Sequence, residues 1–219
     1  VHPSVLPKYR GPAPIQWAIL NGDKKTGVTI MYLNEKMDAG DIIIQKEVEI
    51  GDDETTGELW NRLSKIGAEL LIESIKNIEN GTAVRTVQPE EFTLAPMLTK
   101  DMSKIDWKLK TSVDIKNLVR GLNPIMGAFS FLNGKKIKFW KVQKISKEEF
   151  LEISKNCEYL DFDKESTGTV LLANEKKGLY IKTNDGIISV LEIQGENSRK
   201  MNINDFLRGN KIGLGQIFE

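Results

Sequence analysis

Apolar positions recur at helical spacing through "TTGELWNRLSKIGAELLIESIKNIENG": Leu59, Leu63, Ile66, Leu70 and Ile78 fall on one side and charge on the other. Thr55 followed by Glu58 reads as a capping box at the start of this helix, and Gly81 as its stop. Two β-branched runs precede it, "TGVTIMYL" (26–33) and "GDIIIQKEVEI" (40–50), and both predict strands. The turn "NEKMDAG" between them carries Asp38 and Gly40. Further upstream, residues 14–20 predict a short helix with Pro14 in its first turn and Gly22 just past its end.

The pattern then changes. Residues 83–101 are mostly polar, carry Pro89 and Pro96, and read as a linker. A helix is predicted near 112–122 from Ile115, Leu118, Val119 and Leu122. "AFSFL" and "KKIKFW" flank Asn133-Gly134, a pair that tolerates the positive φ of a tight hairpin. "GTVLLA", "GLYIKT" and "GIISVLEIQ" add short strands between glycine turns, with no internal repeat. The expected architecture is an α/β domain over 1–82 and a mainly β, small-barrel domain over 102–219.

Composition adds limits. The chain has 219 residues, 40% hydrophobic and 28% charged, and a formal net charge of zero. That zero hides an uneven distribution. From Glu47 to Pro96 eleven acids stand against four bases, a net −7, and from Met97 to Lys147 twelve bases against three acids, a net +9. Lys135, Lys136, Lys138, Lys141 and Lys144 surround Phe139 and Trp140, a basic strand of the kind that meets nucleic acid. The alternative for such a run is a solvated lysine-rich face. Alternation would send Ile137 and Phe139 inward and leave Lys136 and Lys138 outward. No apolar run approaches the roughly 18 residues of a membrane span, and no secretory signal pattern opens the chain. The lone Cys157 excludes an internal disulfide and a multi-cysteine zinc site, and it fits a reducing cytoplasm. Residue 1 is Val rather than Met, so a processed or trimmed chain is expected.

His2 is the only histidine, and imidazole is the side chain whose unperturbed pKa, about 6.5, falls near neutrality. Taken alone it reads as a solvated residue, and Asp38 as ordinary Asp-Ala-Gly turn chemistry. No metal-ligand cluster, phosphate loop or nucleophile elbow is present in the sequence.

The wording of whole segments says more. "HPSVLPKYRGPAPIQWAILNGDKKTGVTIMYLNEKMDAGDIIIQ" closely resembles the folate-dependent formyltransferases. His2 and Asp38, 36 residues apart, fall where that family has its His and Asp. "RGPAPIQW" and "TGVTIM" are similar to the branch that acts on methionyl-tRNA, and "LAPMLTKDMSKIDW" and "LVRGLNPIMGAFSFLNGKKIKFW" resemble its C-terminal OB-like module. The resemblance covers nearly the whole chain and is weakest around 146–167. It implies formyl transfer from 10-formyltetrahydrofolate to the amino group of initiator methionyl-tRNA, with no metal, by a cytoplasmic monomer. It implies His2 as a catalytic residue oriented by Asp38, and Ser4, Val5, Leu6 and Pro7 as the lining of the folate pocket. It also implies a C-terminal domain that binds tRNA, for which the sequence offers Lys135, Lys136, Lys138 and Lys141. Three departures stand out. The family's catalytic Asn would sit two positions before His2, ahead of Val1. About a hundred residues of the family's first domain have no counterpart. Val5 replaces a Leu. The chain alone is therefore expected to turn over little or not at all. A sugar-nucleotide N-formyltransferase, which shares the His and Asp, and a truncated non-catalytic RNA-binding chain are the alternatives.

Overall fold

In the computed structural model, which describes residues 1–219, Pro14 opens helix α1 (Pro14–Leu20) from its first position, where its missing N–H costs no helical bond. Strands β1 (Lys25–Met31) and β2 (Ile42–Glu49) pair antiparallel, with the register slipping between Ile30 and Met31. Helix α2 (Thr56–Glu79) begins at the predicted capping box: Thr55 Oγ1 accepts from the Glu58 N–H, and the Glu58 carboxylate accepts from the Thr55 N–H. Its buried face is Leu59, Leu63, Gly67 and Leu70, a spacing of three and four that keeps one stripe turned to the sheet. A Cβ on Gly67 would be in ordinary contact with Val28 Cγ1 of β1 at 3.5 Å and would crowd Val1 Cγ1 at 3.0 Å. Ile15, Ala18 and Ile19 of α1, Val28 and Ile30 of β1, and the α2 leucines form one core, each large side chain contributing about 1.5–3 kcal/mol by its burial.

Residues 82–99, most of the stretch whose composition reads as a linker, belong to this first unit, which spans Val1–Thr99. They run extended and are stitched to it by main-chain bonds. Ile42 and Thr86 exchange two, Arg10 N–H donates to Thr93 O, and Ala95 N–H donates to Arg10 O. Ala95 and Gln88 are buried there.

The second unit, Lys100–Glu219, opens with a 3-10 turn (Lys100–Ser103), followed by α3 (Ser112–Gly121), capped by Thr111 and Asp114. Strands β3 (Ala128–Leu132) and β4 (Lys135–Ile145) form the predicted hairpin, with Asn133 at φ 51° and Gly134 at φ 76°. Helix α4 (Lys147–Ser154) follows, then β5 (Val170–Asn174), β6 (Gly178–Lys182), β7 (Ile187–Gln194), the short β8 (Met201–Asn202) and α5 (Ile203–Gly209). The sheet is six-stranded, in the order β3-β4-β7-β6-β5 with β8 also on β7. The C-terminal tail bonds to both outer strands. Phe131 of β3 exchanges two main-chain bonds with Glu219, while Val170 of β5 donates to Gln216 O and accepts from Gly215 N–H. Inside lie Trp107, Phe139 and Phe218, with ring centroids 5.4–5.9 Å apart. The overall class is α/β.

Candidate functional site

His2 is held by the backbone before its side chain does anything. Its N–H and C=O exchange two bonds with Thr29 of β1, each 2.8 Å. The imidazole is buried, and Nε2 lies 2.8 Å from the Tyr9 carbonyl oxygen. A carbonyl only accepts, so Nε2 carries the proton in this arrangement. The other ring nitrogen, Nδ1, faces Asp38 Oδ1 at 3.6 Å. The two residues that the resemblance singled out thus lie side by side, with Asp38 the more exposed, its side chain 19% accessible against 6% for His2.

Asp38 sits at φ 51°, a left-handed conformation that Asp adopts more readily than most residues. Its Oδ2 accepts the Gly11 N–H at 2.8 Å, leaving Oδ1 for the imidazole. Two glycines make this possible. A Cβ on Gly40 would fall 1.7 Å from the Tyr32 carbonyl oxygen, and Gly11, at φ 126°, would meet Ala95 O at 2.7 Å. Gln88 then ties the turn down: its Nε2 donates to Asp38 O at 2.9 Å and to Gly40 O at 2.8 Å.

Tyr9 and Gln88 are site residues that no motif announced. Tyr9, at φ 61°, turns its carbonyl toward His2, a backbone state that costs a bulky residue about 1–3 kcal/mol. Its hydroxyl donates to Asp23 Oδ2 and accepts from Asn21. Burial first, with the Asp23 charge and hydrogen bond adding to it and Asn21 opposing, pushes the phenol up to about 12. Tyr9 lies inside the segment that carries the family resemblance but acts through its backbone carbonyl, which no residue identity announces; for Gln88 there was no signal.

Of the four residues expected to line a folate pocket, two turn inward. Ser4 is buried, with Oγ donating to Lys8 O at 2.6 Å. Leu6 is 2% exposed, its N–H donating to Thr29 Oγ1 and its carbonyl accepting from Gln45. Val5 and Pro7 keep partly exposed side chains.

Among the lysines, Lys135 and Lys141 are exposed, and Lys136 and Lys138 half-buried. Ile137 and Phe139 are buried between them, as alternation requires. Lys136 Nζ lies 3.7 Å from the centroid of Phe129, and Lys138 Nζ donates to Met126 O at 3.0 Å. The β4–β7 register shifts between Phe139 and Val142, a bulge that moves Val142 to the inner face and turns Lys141 out.

A groove of about 1090 Å³ flanks the Asp38 turn, lined by Arg10, Gly11, Lys36, Met37, Phe92 and Leu94 among others. The fold and this His–Asp arrangement define a class, and the chain belongs to it: residues 1–75 match the formyl transferase family and residues 97–211 its C-terminal domain, so the protein is a member of the formyl transferase family. Within that family it is 42% identical over 218 residues to the methionyl-tRNA formyltransferase of Acetivibrio thermocellus, covering 99% of this chain and 65% of that one. Against the enzyme of the same name from Agathobacter rectalis it is 42% identical over 219 residues, covering 100% and 66%. The chain thus spans just under two thirds of the length of these relatives. Among solved structures, HypX from Aquifex aeolicus shares the fold with a TM-score of 0.69 at 24% identity, over 96% of this chain and 35% of that one. A 4-N formyltransferase from Francisella tularensis gives 0.57 at 29% identity, over 66% and 62%.

Proposed function

We propose that the protein transfers the formyl group of 10-formyltetrahydrofolate to the α-amine of methionyl-tRNA, supplying the initiator tRNA of the cytoplasm. The observation that carries this reading is the His2–Asp38 pair, 3.6 Å apart and fixed by the Gly11, Tyr9 and Gln88 contacts, in a chain about 40% identical to methionyl-tRNA formyltransferases throughout. The structures of N-formyltransferases that act on or hold an amino sugar are more distant, at 23–24% identity.

The chemistry is an acyl transfer. The neutral amine attacks the formyl carbon, a C–N bond forms, and the carbonyl oxygen becomes an oxyanion. The C–N10 bond then breaks, N10 gains a proton and the new amide nitrogen loses one. Asp38 is the accessible carboxylate at which the amine proton can be received, and the imidazole beside it can carry a proton to N10. Donors aimed at the oxyanion are worth about 3–4 kcal/mol each in sites of this type. Val5 and Pro7, the two residues of the Ser4–Pro7 stretch with accessible side chains, offer apolar surface to the flat pterin. Ser4 and Leu6 serve that loop from below by holding its backbone.

In the second unit the tail that bonds to both β3 and β5 supports a closed, OB-like barrel, which presents Lys135, Lys136, Lys138 and Lys141 to tRNA. The test is direct. Full-length protein is given 10-formyltetrahydrofolate with either initiator methionyl-tRNA or a dTDP-linked amino sugar. Formyl-methionyl-tRNA is the expected product, and formylation of the sugar with the tRNA ignored would overturn the reading.

A further inference from the structure

Arg10 stands on the wall of the groove beside the Asp38 turn, and its surroundings are unusual for a half-buried arginine. Its Nε and Nη2 both donate to Gln88 Oε1, at 3.1 and 2.7 Å. Its guanidinium carbon lies 4.4 Å above the centroid of Phe92. Gln88 is itself buried and fixed by its bonds to Asp38 O and Gly40 O. The guanidinium is therefore held in one plane by an amide on one edge and an aromatic ring on one face. Neither partner is a carboxylate, and the guanidinium's contacts are this amide and this ring. Its charge is left unneutralised, with Nη1 and the second Nη2 proton free to donate. A planar fork kept rigid and uncompensated is the form of arginine that recognises phosphate.

From this arrangement we infer that the groove is the acceptor subsite, in which Arg10 holds the phosphate of the terminal nucleotide while the aminoacyl end reaches Asp38. This deepens the methionyl-tRNA reading and rests on it. The rest of the lining agrees in chemistry. Met37, Leu94 and Phe92 are exposed apolar surface suited to an uncharged thioether side chain. The charged lining residues besides Arg10 are Lys36, Glu35 and Glu90, which cancel to one acid in excess. With Arg10 the lining is neutral overall, so a single phosphate diester depends on the Arg10 fork itself, and the two charges of a sugar nucleotide's diphosphate meet a larger net repulsion. Gln88 is then a positioning residue twice over, fixing the Asp38 turn with its nitrogen and Arg10 with its oxygen.

The probe is 3′-(methionylamino)-3′-deoxyadenosine, a stable amide with a free α-amine, prepared with and without a 5′-phosphate. Both are titrated against the full-length protein and its Arg10→Met, Arg10→Lys and Phe92→Leu variants. In the unaltered protein the 5′-phosphate is expected to tighten binding at least about tenfold, the effect of one charge-assisted pair. Arg10→Met should abolish that advantage while binding the phosphate-free compound as before, which also reports that the groove is folded. Arg10→Lys should restore part of it, and Phe92→Leu should keep a reduced advantage. Tetrahydrofolate affinity should be the same in all four proteins. Phosphate-free compound binding with no gain from phosphate, or a gain that survives Arg10→Met, overturns the inference and leaves the proposed reaction standing. Loss of tetrahydrofolate affinity in Arg10→Met also overturns it, by assigning the arginine to the folate carboxylates. Failure of both methionyl compounds to bind, while a dTDP-linked amino sugar binds, overturns the acceptor reading itself.

Discussion

Asp38 does two jobs with two oxygens, and a single substitution separates them. Asp38→Asn keeps a residue that tolerates φ 51° and keeps an amide oxygen to accept the Gly11 N–H. It removes the charge facing His2 Nδ1. The folded state should lose about 1 kcal/mol or less, while formyl transfer should fall by about 10²-fold or more, the usual contribution of an acid–base group. The corresponding check on the turn is Gly40→Ala. With the Tyr32 carbonyl oxygen 1.7 Å from the new Cβ, the Asp38 loop must move, and both stability and transfer should drop. Denaturant melts beside turnover measurements distinguish the pair. In the full-length protein, whose turnover is the reference, an Asp38→Asn variant as active as the unaltered one would remove Asp38 from the chemistry.

At the scale of elements, the sequence was legible wherever a local rule suffices. The helix from Thr55, the Asn133-Gly134 hairpin and the inward alternation of Ile137 and Phe139 each depend on neighbours within a few residues. Helix α4 was missed although Ser146 and Glu149 form a capping box as complete as that of α2. Its one buried large apolar residue is Phe150, too few for a visible period. Residues 83–101 read as a linker because the partners of their first-unit part, Ile42, Arg10 and Ala13, lie far away in sequence; the same distance hides Gln88. Within the site, the family wording brought out His2 and Asp38, but the inward turn of Ser4 and Leu6 depends on Thr29 and Gln45 and could not be read locally. The start of α3 shows how a distant residue can matter to an element. Asp185, in the turn before β7, accepts from the Ser112 N–H at 2.6 Å and from its hydroxyl at 3.2 Å. Partial burial raises its pKa, but the bonds from Ser112 and Thr183 outweigh it, so the carboxyl lies below the ordinary range. A depressed pKa stabilises the fold above the unfolded-state value, and that contribution is lost as pH falls through the folded one. Asp185→Asn should therefore cost about 1 kcal/mol near neutrality and flatten the acid side of the stability profile. An unchanged acid limb would show that Asp185 contributes nothing there.

For the molecule as a whole, a net charge of zero conceals the +9 between Met97 and Lys147, and binding of a polyanion depends on where charge lies rather than on its sum. Four lysines of β4 differ in how free they are. Lys135 and Lys141 extend into solvent, Lys136 already lies over Phe129, and Lys138 is bonded to Met126 O. The exposed pair can meet phosphate without giving up a contact, so those two should dominate. Each phosphate contact that is lost should lower the slope of log affinity against log salt by about 0.7–0.9, the range between single strands and B-form duplex. Lys135→Ala with Lys141→Ala should thus reduce the salt dependence of tRNA binding by nearly two contacts. Changing Lys136 and Lys138 should do less, because each loses an intramolecular partner as well. Fluorescence titrations of tRNA at two salt concentrations, on the full-length protein and both double variants, measure these slopes. Equal slopes in all three proteins would return the strand to ordinary solvated surface, and a larger effect from Lys136 and Lys138 would place the contact on the Phe129 face instead.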